Sequence, residues 1–229
     1  MLKYIINIII ILFLTSAIAQ QDSLQQPVDS LQQIKHPLKA RLGWDIGKYI
    51  WARLNNSTSY DIYADANVYK NYYMIFEAGV ENHLTENSLL KYQTQGQYFK
   101  LGVDYNLYRN WLDMDNDISV GVRFGTAYFD YFLQEYRINQ PGAWLVPQVH
   151  QTDLSFKDLS AQWLDFTTKI QAETFKNLYL GYAVSIKYLL HYTHPDNFDI
   201  SYIPGFFERN AFSRFGFGMQ YFISYQLKF

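Results

Sequence analysis

Apolar and polar side chains alternate with a period of two at the carboxyl end of the chain, over residues 213–229. The odd positions are apolar or aromatic: Phe215, Phe217, Met219, Tyr221, Ile223, Tyr225, Leu227 and Phe229. The even positions are mostly polar residues or glycine. A period of two over a run of this length is typical of a β-strand and excludes a helix.

The same alternation recurs upstream and predicts seven more strands. They cover residues 40–47, 60–65, 72–81, 99–107, 117–128, 164–173 and 178–188. Each strand has one apolar stripe and one stripe of polar or charged residues. With the last strand the total is eight, and a bacterial single-chain barrel requires an even number.

The connections between the predicted strands alternate in length along the chain. The short ones are residues 67–71, 108–116 and 175–177, and the longer ones are residues 48–59, 82–96, 130–160 and 191–212. Outer-membrane barrels have this pattern, with short periplasmic turns and long extracellular loops. We therefore predict an all-β fold: an eight-stranded antiparallel up-and-down transmembrane β-barrel with a polar lumen and both termini in the periplasm.

Alternation alone leaves open which stripe faces inward. In a soluble periplasmic barrel or sandwich the apolar stripe would form the core and the charged stripe would face water. The loop asymmetry and apolar stripes that run the full length of the strands favour the membrane arrangement. The sequences at the two ends of the chain also favour the membrane arrangement.

The amino-terminal residues have the order of a secretory signal peptide. A single Lys3 precedes an apolar run, and Ala17 and Ala19 form an A-x-A cleavage site. We predict a signal peptide over residues 1–19, a flexible periplasmic segment over residues 20–37 and the barrel over residues 38–229. The chain has no cysteine, which excludes a lipoprotein anchor and disulfides.

The last strand ends on an aromatic residue. Tyr221, Tyr225 and Phe229 share its apolar face, and this ending resembles the carboxy-terminal signature of Gram-negative outer-membrane β-barrels. The resemblance implies an insertion signal at these three residues, recognised by the barrel-assembly machinery.

Composition narrows the class of partner. The chain has 19 Lys and Arg against 21 Asp and Glu, and signal cleavage removes only Lys3. A slightly acidic chain lacks the electrostatic footprint of a nucleic-acid-binding protein. Aromatic residues make up 19% of the chain, which suits a surface that runs from lipid into water.

The polar stripes predict the contents of the lumen. The cations expected inside are Arg41, Lys100, Arg123, Lys169, Lys187 and Arg214, and the expected anions are Asp45, Asp61, Asp65, Glu77, Glu81, Asp104, Asp165 and Glu173. Eight strands leave space only for side chains, and an unpaired buried charge is strongly unfavourable. We therefore expect a plug of ion pairs, with a narrow channel as the alternative.

A catalytic alternative depends on three residues near the top of the third strand. His83 follows Glu81 on the polar stripe, and Ser88 lies in the next loop. A His–Ser–acid set at the outer rim resembles that of lipid A acyl-transfer enzymes and predicts an acyl-hydrolase or acyltransferase. The simpler interpretation is an ordinary rim histidine.

A metal alternative depends on the last loop. His191, His194 and Asp196 have side chains that bind metals. Since His-Tyr-Thr-His in a loop is a signal of low specificity and a solvated loop is the simpler interpretation, we expect no metal and no cofactor. The aromatic residues of the long loops suit protein-partner binding, a lid over the barrel mouth or an interfacial girdle.

Three segments and one loop carry a family resemblance. They are residues 41–45 (RLGWD), 98–106 (YFKLGVDYN), 119–125 (SVGVRFG) and the loop at 202–206 (YIPGF). Together they resemble a Bacteroidota family of small outer-membrane barrels of unknown function, similar in architecture to OmpA/OmpX-type barrels. The resemblance implies fold and location and brings no active site.

The sequence therefore predicts a small integral outer-membrane barrel without enzymatic activity, with a structural or partner-binding role in the cell envelope. The expected partners are outer-membrane lipid including lipopolysaccharide, the assembly machinery and a protein bound by the extracellular loops.

Overall fold

The computed structural model describes residues 39–86, 90–108, 116–138, 148–195, 199–210 and 212–228. Its elements in chain order are β1 (Lys39–Asp45), α1 (Ile46–Leu54), β2 (Thr58–Tyr69), β3 (Tyr72–Glu86), β4 (Leu90–Asn106), β5 (Asp117–Ile138), β6 (Gln148–Phe175), β7 (Leu178–Tyr192), β8 (Tyr202–Ile203), β9 (Phe207–Glu208) and β10 (Phe215–Lys228). No described helix is long and apolar enough to cross a membrane. The predicted signal peptide and amino-terminal segment lie outside the described residues.

Eight of the strands close into one antiparallel barrel, in the order β1-β10-β7-β6-β5-β4-β3-β2. Each of these strands pairs with its neighbours along the chain, and β10 closes the ring against β1. The two short strands, β8 and β9, form a separate ribbon within the connection from β7 to β10. The predicted eight-stranded, up-and-down fold is confirmed.

The register of the pairs fixes the shape of the barrel. Paired residues can be followed around the ring from Leu42 on β1, through each strand in turn, to Phe215 on β10. The register of β10 with β1 places Phe215 at the level of Ala52, ten residues beyond the start. The stagger of the barrel is therefore ten residues. Such a stagger tilts the strands by about 40° from the barrel axis. An eight-stranded barrel of this kind has an interior just wide enough for side chains.

The two ends of the barrel differ. Lys39, Lys228 and the turns after β2, β4 and β6 lie at one end, which we call the terminal end. The other end, the loop end, carries α1, the β8–β9 ribbon and two hairpins that extend beyond the barrel.

Two of the predicted loops were wrong in extent. The strands continue to Glu86 and restart at Leu90, and continue to Ile138 and restart at Gln148. The pairing between strands continues in these regions. The prediction ended the strands too early because the apolar stripe ends there, for example at Gln95 and Gln97 on the outward face of β4. The predicted first strand was wrong at its end, because β1 stops at Asp45 and α1 begins at Ile46. The rest of α1 occupies part of a third predicted loop, residues 48–59.

The outward face of the strands carries exposed apolar side chains, which we call the apolar belt. Its members include Leu42, Ile62, Met74, Phe76, Leu101, Val103, Val120, Val122, Phe166, Ile186 and Met219. Aromatic residues border the belt at the terminal end, where the rings of Tyr72 and Tyr105 lie 4.9 Å apart. The outer face of the barrel is thus apolar.

The inward face holds buried ion pairs, as the polar stripes predict. Glu77 on β3 pairs with Arg123 and lies 3.2 Å from Lys100. Arg123 also lies 3.3 Å from Asp104, and Lys100 lies 3.2 Å from Asp165. All five side chains are at most 4% exposed, so the pairs tie β3, β4, β5 and β6 together across the lumen.

A second group of ion pairs lies nearer the terminal end. Asp65 accepts a hydrogen bond of 2.7 Å from Arg41 and lies 3.3 Å from Lys169. Arg41 also pairs with Asp117, and Lys169 lies 3.2 Å from Asp104. Because Asp104 serves both groups, the network is continuous along the lumen.

Two residues predicted inside the lumen lie elsewhere. Arg214 is exposed, because β10 begins only at Phe215 and Arg214 precedes the wall of the barrel. Glu173 is half-buried at the terminal end, where its carboxylate accepts a hydrogen bond of 2.8 Å from the Asn177 backbone. Glu173 therefore stabilises the β6–β7 turn.

The interior of the loop end is apolar instead of charged, which the polar stripes did not predict. A buried cluster fills it, formed by Tyr92, Tyr98, Ala127, Phe129, Tyr131, Leu133, Leu159, Ala161, Trp163, Leu189, Ile200, Tyr202, Ile203 and Phe206. The last four residues belong to the connection between β7 and β10. The lumen is thus mostly charged towards the terminal end and mostly apolar at the loop end, where the charged side chains of Glu81 and Lys187 are also buried.

We predict that Glu77→Gln lowers the free energy of unfolding by about 3–5 kcal/mol, because Arg123 and Lys100 then lose a charged partner in a buried site. Urea titration of the refolded protein in detergent micelles, followed by tryptophan fluorescence, measures this change.

The matched control is Glu86→Gln, whose carboxylate lies 3.3 Å from Lys91 on the surface. An exposed pair of this kind contributes less than about 1 kcal/mol. Equal losses in the two variants would contradict a stabilising role of the buried network.

Candidate functional site

Residues 200–206, which we call the plug turn, fold into the loop end of the barrel. Ile200, Ile203 and Phe206 are fully buried, and the centres of the Phe206 and Trp163 rings lie 5.9 Å apart in a T-shaped arrangement. Gly205 has φ +74°, and a Cβ there would lie 2.5 Å from the Tyr98 ring. Only glycine combines this conformation with so close an approach.

Glu81 on β3 anchors the plug turn. Its carboxylate accepts hydrogen bonds from the Tyr202 hydroxyl (2.5 Å) and from the Gly205 backbone (2.9 Å) and pairs with Lys48. Burial, together with the charge of Glu81, raises the pKa of Tyr202 well above its usual value, so this hydroxyl keeps the proton it donates. One carboxylate therefore joins β3, α1 and the plug turn.

Lys48 reaches the lumen from α1. Asp45 caps this helix by accepting a hydrogen bond of 3.0 Å from the Lys48 backbone. The Lys48 ammonium lies 3.2 Å from Asp61 and 3.1 Å from the Tyr98 hydroxyl. Lys48 therefore fixes one face of α1 against the interior.

Three apolar side chains of α1 are exposed. Ile50, Trp51 and Leu54 are at least half exposed, on a helix whose Lys48 and Ala52 side chains are buried. These side chains thus extend the apolar belt towards the loop end, beyond the last residue of β1.

Lys187 lies beneath the plug turn. Its ammonium donates a hydrogen bond of 2.6 Å to the Gly205 carbonyl and lies 4.1 Å from the centre of the Phe207 ring. Phe207 has φ +78°, which is unusual for an aromatic residue. Contacts of its ring with Lys187 and Lys48 offset part of this strain.

The barrel wall has a gap beside α1, because β1 is shorter than its neighbours. The pairing of β1 with β10 ends at Asp45 and Phe222, whereas β10 continues to Phe215 along β7. On the side of β10 opposite β7, no strand within the described residues pairs with residues 215–221. Gly47 at the start of α1 packs on Tyr221, where a Cβ would lie 2.9 Å from the Tyr221 Cβ.

A cavity of about 440 Å³, which we call the seam pocket, lies between α1, the plug turn and β10. Its outer part is formed by Trp51, Phe217, Met219 and Tyr221, all exposed members of the outward face. Its inner part contains Ser57, Ser59, His83, Tyr202 and Glu81. The seam pocket therefore joins the apolar exterior to polar groups of the lumen.

Two of the three predicted catalytic residues line the seam pocket, but the described contacts do not join them as a catalytic set. The His83 ring stacks on the Tyr202 ring at 3.8 Å, and no hydrogen bond links it to Glu81 among the described contacts. Both oxygens of Glu81 are engaged by Lys48, Tyr202 and Gly205. Ser88 lies outside the described residues.

The predicted metal residues are dispersed in the described part of the last connection. His191 is exposed at the end of β7, and His194 Nδ1 donates a hydrogen bond of 2.8 Å to the Pro195 carbonyl. Asp196 lies outside the described residues. No group of three or more His, Cys, Asp or Glu side chains in the described ranges is placed to hold a metal ion.

The residues of the predicted insertion signal are only partly described. Tyr221 and Tyr225 are half-exposed on the outward face of β10, and Phe229 lies outside the described residues.

Sequence reasoning missed the main parts of this site. Lys48, Gly205 and Phe207 fall in predicted loops, where a period of two gives no signal. Pro204-Gly205 is a turn signal, but no local pattern indicates that the turn enters the barrel.

Fold and site together define a class: a closed eight-stranded β-barrel with an apolar exterior and an occluded interior. The chain belongs to the family described as Domain of unknown function (DUF6048), which it matches over residues 1–229. The predicted Bacteroidota origin stays a prediction.

The chain is also similar in structure to an attachment protein of known structure. The chain is similar to Ail, the attachment invasion locus protein of Yersinia pestis, at 7% identity and a TM-score of 0.37, covering 83% of this chain and 97% of that chain. No curated protein matches the sequence.

We predict that Glu81→Gln speeds tryptic cleavage after Arg209 by about tenfold, since the plug turn loses its charged anchor. The Arg209 side chain is now held by the Ile200 carbonyl at 2.8 Å and by Asp199. Mass spectrometry of timed digests of the folded protein measures the rate.

Glu86→Gln, on the same strand as Glu81, is the matched control, because its carboxylate is exposed and contacts Lys91 instead of the plug turn. We expect its cleavage rate to equal that of the unaltered protein. If Glu81→Gln also leaves the rate unchanged, Glu81 does not anchor the plug turn.

Proposed function

We propose that the protein is an integral β-barrel of the outer membrane with a closed lumen and a structural, non-enzymatic role in the cell envelope. The observation that carries this proposal is the apolar belt around a buried network of ion pairs. A contiguous apolar surface that includes all eight strands of the barrel is unfavourable in water. In lipid it is the favourable outer face of a barrel whose polar side chains point inward.

Closure of the backbone supports the same proposal. Each strand of the ring pairs on both sides over much of its length, and a closed barrel satisfies the backbone hydrogen bonds that lipid cannot. The predicted signal peptide and insertion signal agree with export and assembly in the outer membrane by the barrel-assembly machinery.

The contents of the lumen favour a structural role over transport. A cavity among Asp61, Glu77 and Arg123 has about 10 Å³, the space of a single water molecule. The plug turn fills the loop end with apolar side chains. We therefore propose that the barrel does not conduct ions or solutes.

The topology suggests an orientation. The chain ends and short turns share the terminal end, which we place in the periplasm by the general rule for such barrels. The loop end then faces outside, among lipopolysaccharide. The β5–β6 hairpin extends furthest from the barrel, and we propose it as the surface for a protein partner.

Val122→Arg against Leu154→Arg tests the membrane assignment. Both side chains are about half exposed, at 46% and 50%, but Val122 lies in the belt and Leu154 in the extension of β6. Arginine at the middle of a bilayer costs about 2–4 kcal/mol. We expect Val122→Arg to reduce the folded fraction in lipid vesicles strongly and Leu154→Arg to fold almost normally.

The readout is the fraction of unboiled protein that runs as a folded band on SDS gels. A soluble barrel would tolerate arginine at either exposed position, within about 0.5 kcal/mol. Equal folding of the two variants, in vesicles or in buffer alone, would therefore contradict the proposal.

A further inference from the structure

We propose that the seam pocket binds an acyl chain of a membrane phospholipid, which enters through the gap beside α1. This inference rests on the proposed membrane location. It assigns a ligand class to a cavity that neither the structural role nor the closed lumen requires.

The gap in the barrel wall beside α1 lies where the apolar belt ends, on the side of the loop end. Tyr60 and Val80, which pair across β2 and β3, are exposed apolar residues of the outward face. The next outward positions are Thr58 and Asn82, and Thr58 lines the seam pocket. The pocket therefore opens where acyl chains meet the polar groups of lipids.

The outer lining of the pocket suits a hydrocarbon chain. Phe217, Met219 and Tyr221 are each more than half exposed, and Trp51 of α1 faces the same space. Their apolar area is continuous with the belt, so the same medium contacts both. A volume of about 440 Å³ falls in the range of ligand sites.

The inner lining suits the ester or amide at the head of such a chain. His83, Ser57 and Tyr202 bring polar groups to the inner wall. Ser57 accepts a hydrogen bond of 3.0 Å from the Leu84 backbone, which fixes its hydroxyl beside His83. An acyl chain with its carbonyl matches both halves of the pocket.

The exposed edge of β10 also requires a cover. An open strand edge is not tolerated in the hydrocarbon region, and α1 covers this edge at Gly47. A strand from another protein would have to displace α1 from Tyr221 and break the Lys48 contacts with Glu81 and Asp61. A lipid fills the remaining space without moving the helix.

The test uses phosphatidylglycerol with a photoreactive diazirine in one palmitoyl chain, added to the full-length protein refolded in detergent micelles. After irradiation, mass spectrometry locates the adducts. We expect saturable labelling of peptides that contain Trp51 and residues 217–221. Labelling elsewhere on the belt should rise in proportion to the probe.

Two variants fill the pocket: Ala52→Phe, from a buried position in its lining, and Thr58→Phe, from its outer border. Ala78→Phe is the control, since Ala78 faces outward on β3 away from the pocket. We expect the filling variants to reduce saturable labelling about tenfold and Ala78→Phe to leave it unchanged. Thr58→Phe keeps the test valid if Ala52→Phe does not fold.

Each other outcome overturns the assignment. Labelling spread evenly over the belt, or equal labelling in the filled variants, shows that the seam pocket holds no acyl chain. Labelling by free diazirine-palmitate but not by the phospholipid excludes a membrane phospholipid as the ligand. A cold SDS gel separates this failure from failure of the membrane assignment, since folded bands without pocket labelling leave the membrane assignment intact.

Discussion

The architecture depends on the cost of burying charge inside a narrow barrel. A buried ion loses several kcal/mol of hydration and is stable only with partners in good geometry. Glu77 meets this condition by contacting both Arg123 and Lys100, and Asp104 links them to Lys169. Because these side chains come from different strands, a one-residue slip of any strand would turn its charges outward and its apolar stripe inward. The pairing therefore helps to fix the register, and the register places the apolar belt outside.

The loop end solves a different problem. There β1 stops at Asp45, and α1 replaces its missing half in the wall. Lys48 and Glu81 hold the helix and the plug turn to the same point of β3. The result is a mouth closed by aromatic packing, with one cavity left between the helix and β10. The closed mouth and the cavity thus both result from the shortness of β1. The proposed lipid site depends on this cavity.

The alternation of side chains was enough to predict the eight strands, their order and most of the buried charges, because a period of two assigns each residue to a face. It did not predict the limits of the hairpins, since strand pairing beyond the belt leaves no apolar stripe. It also placed Arg214 inside, because a pattern does not show where the wall begins. The plug turn, Lys48 and the seam pocket depend on contacts between residues far apart in sequence, such as Gly205 with Glu81. No local pattern carries that information.

The central claim is that this chain folds as a closed barrel with its apolar face in lipid. The most direct measurement compares unboiled and boiled samples of isolated outer membranes on SDS gels. A closed sheet has no free edge from which SDS can separate the strands, so the account predicts a folded band that shifts on boiling. A single mobility, with the protein recovered in the soluble periplasmic fraction, would contradict it.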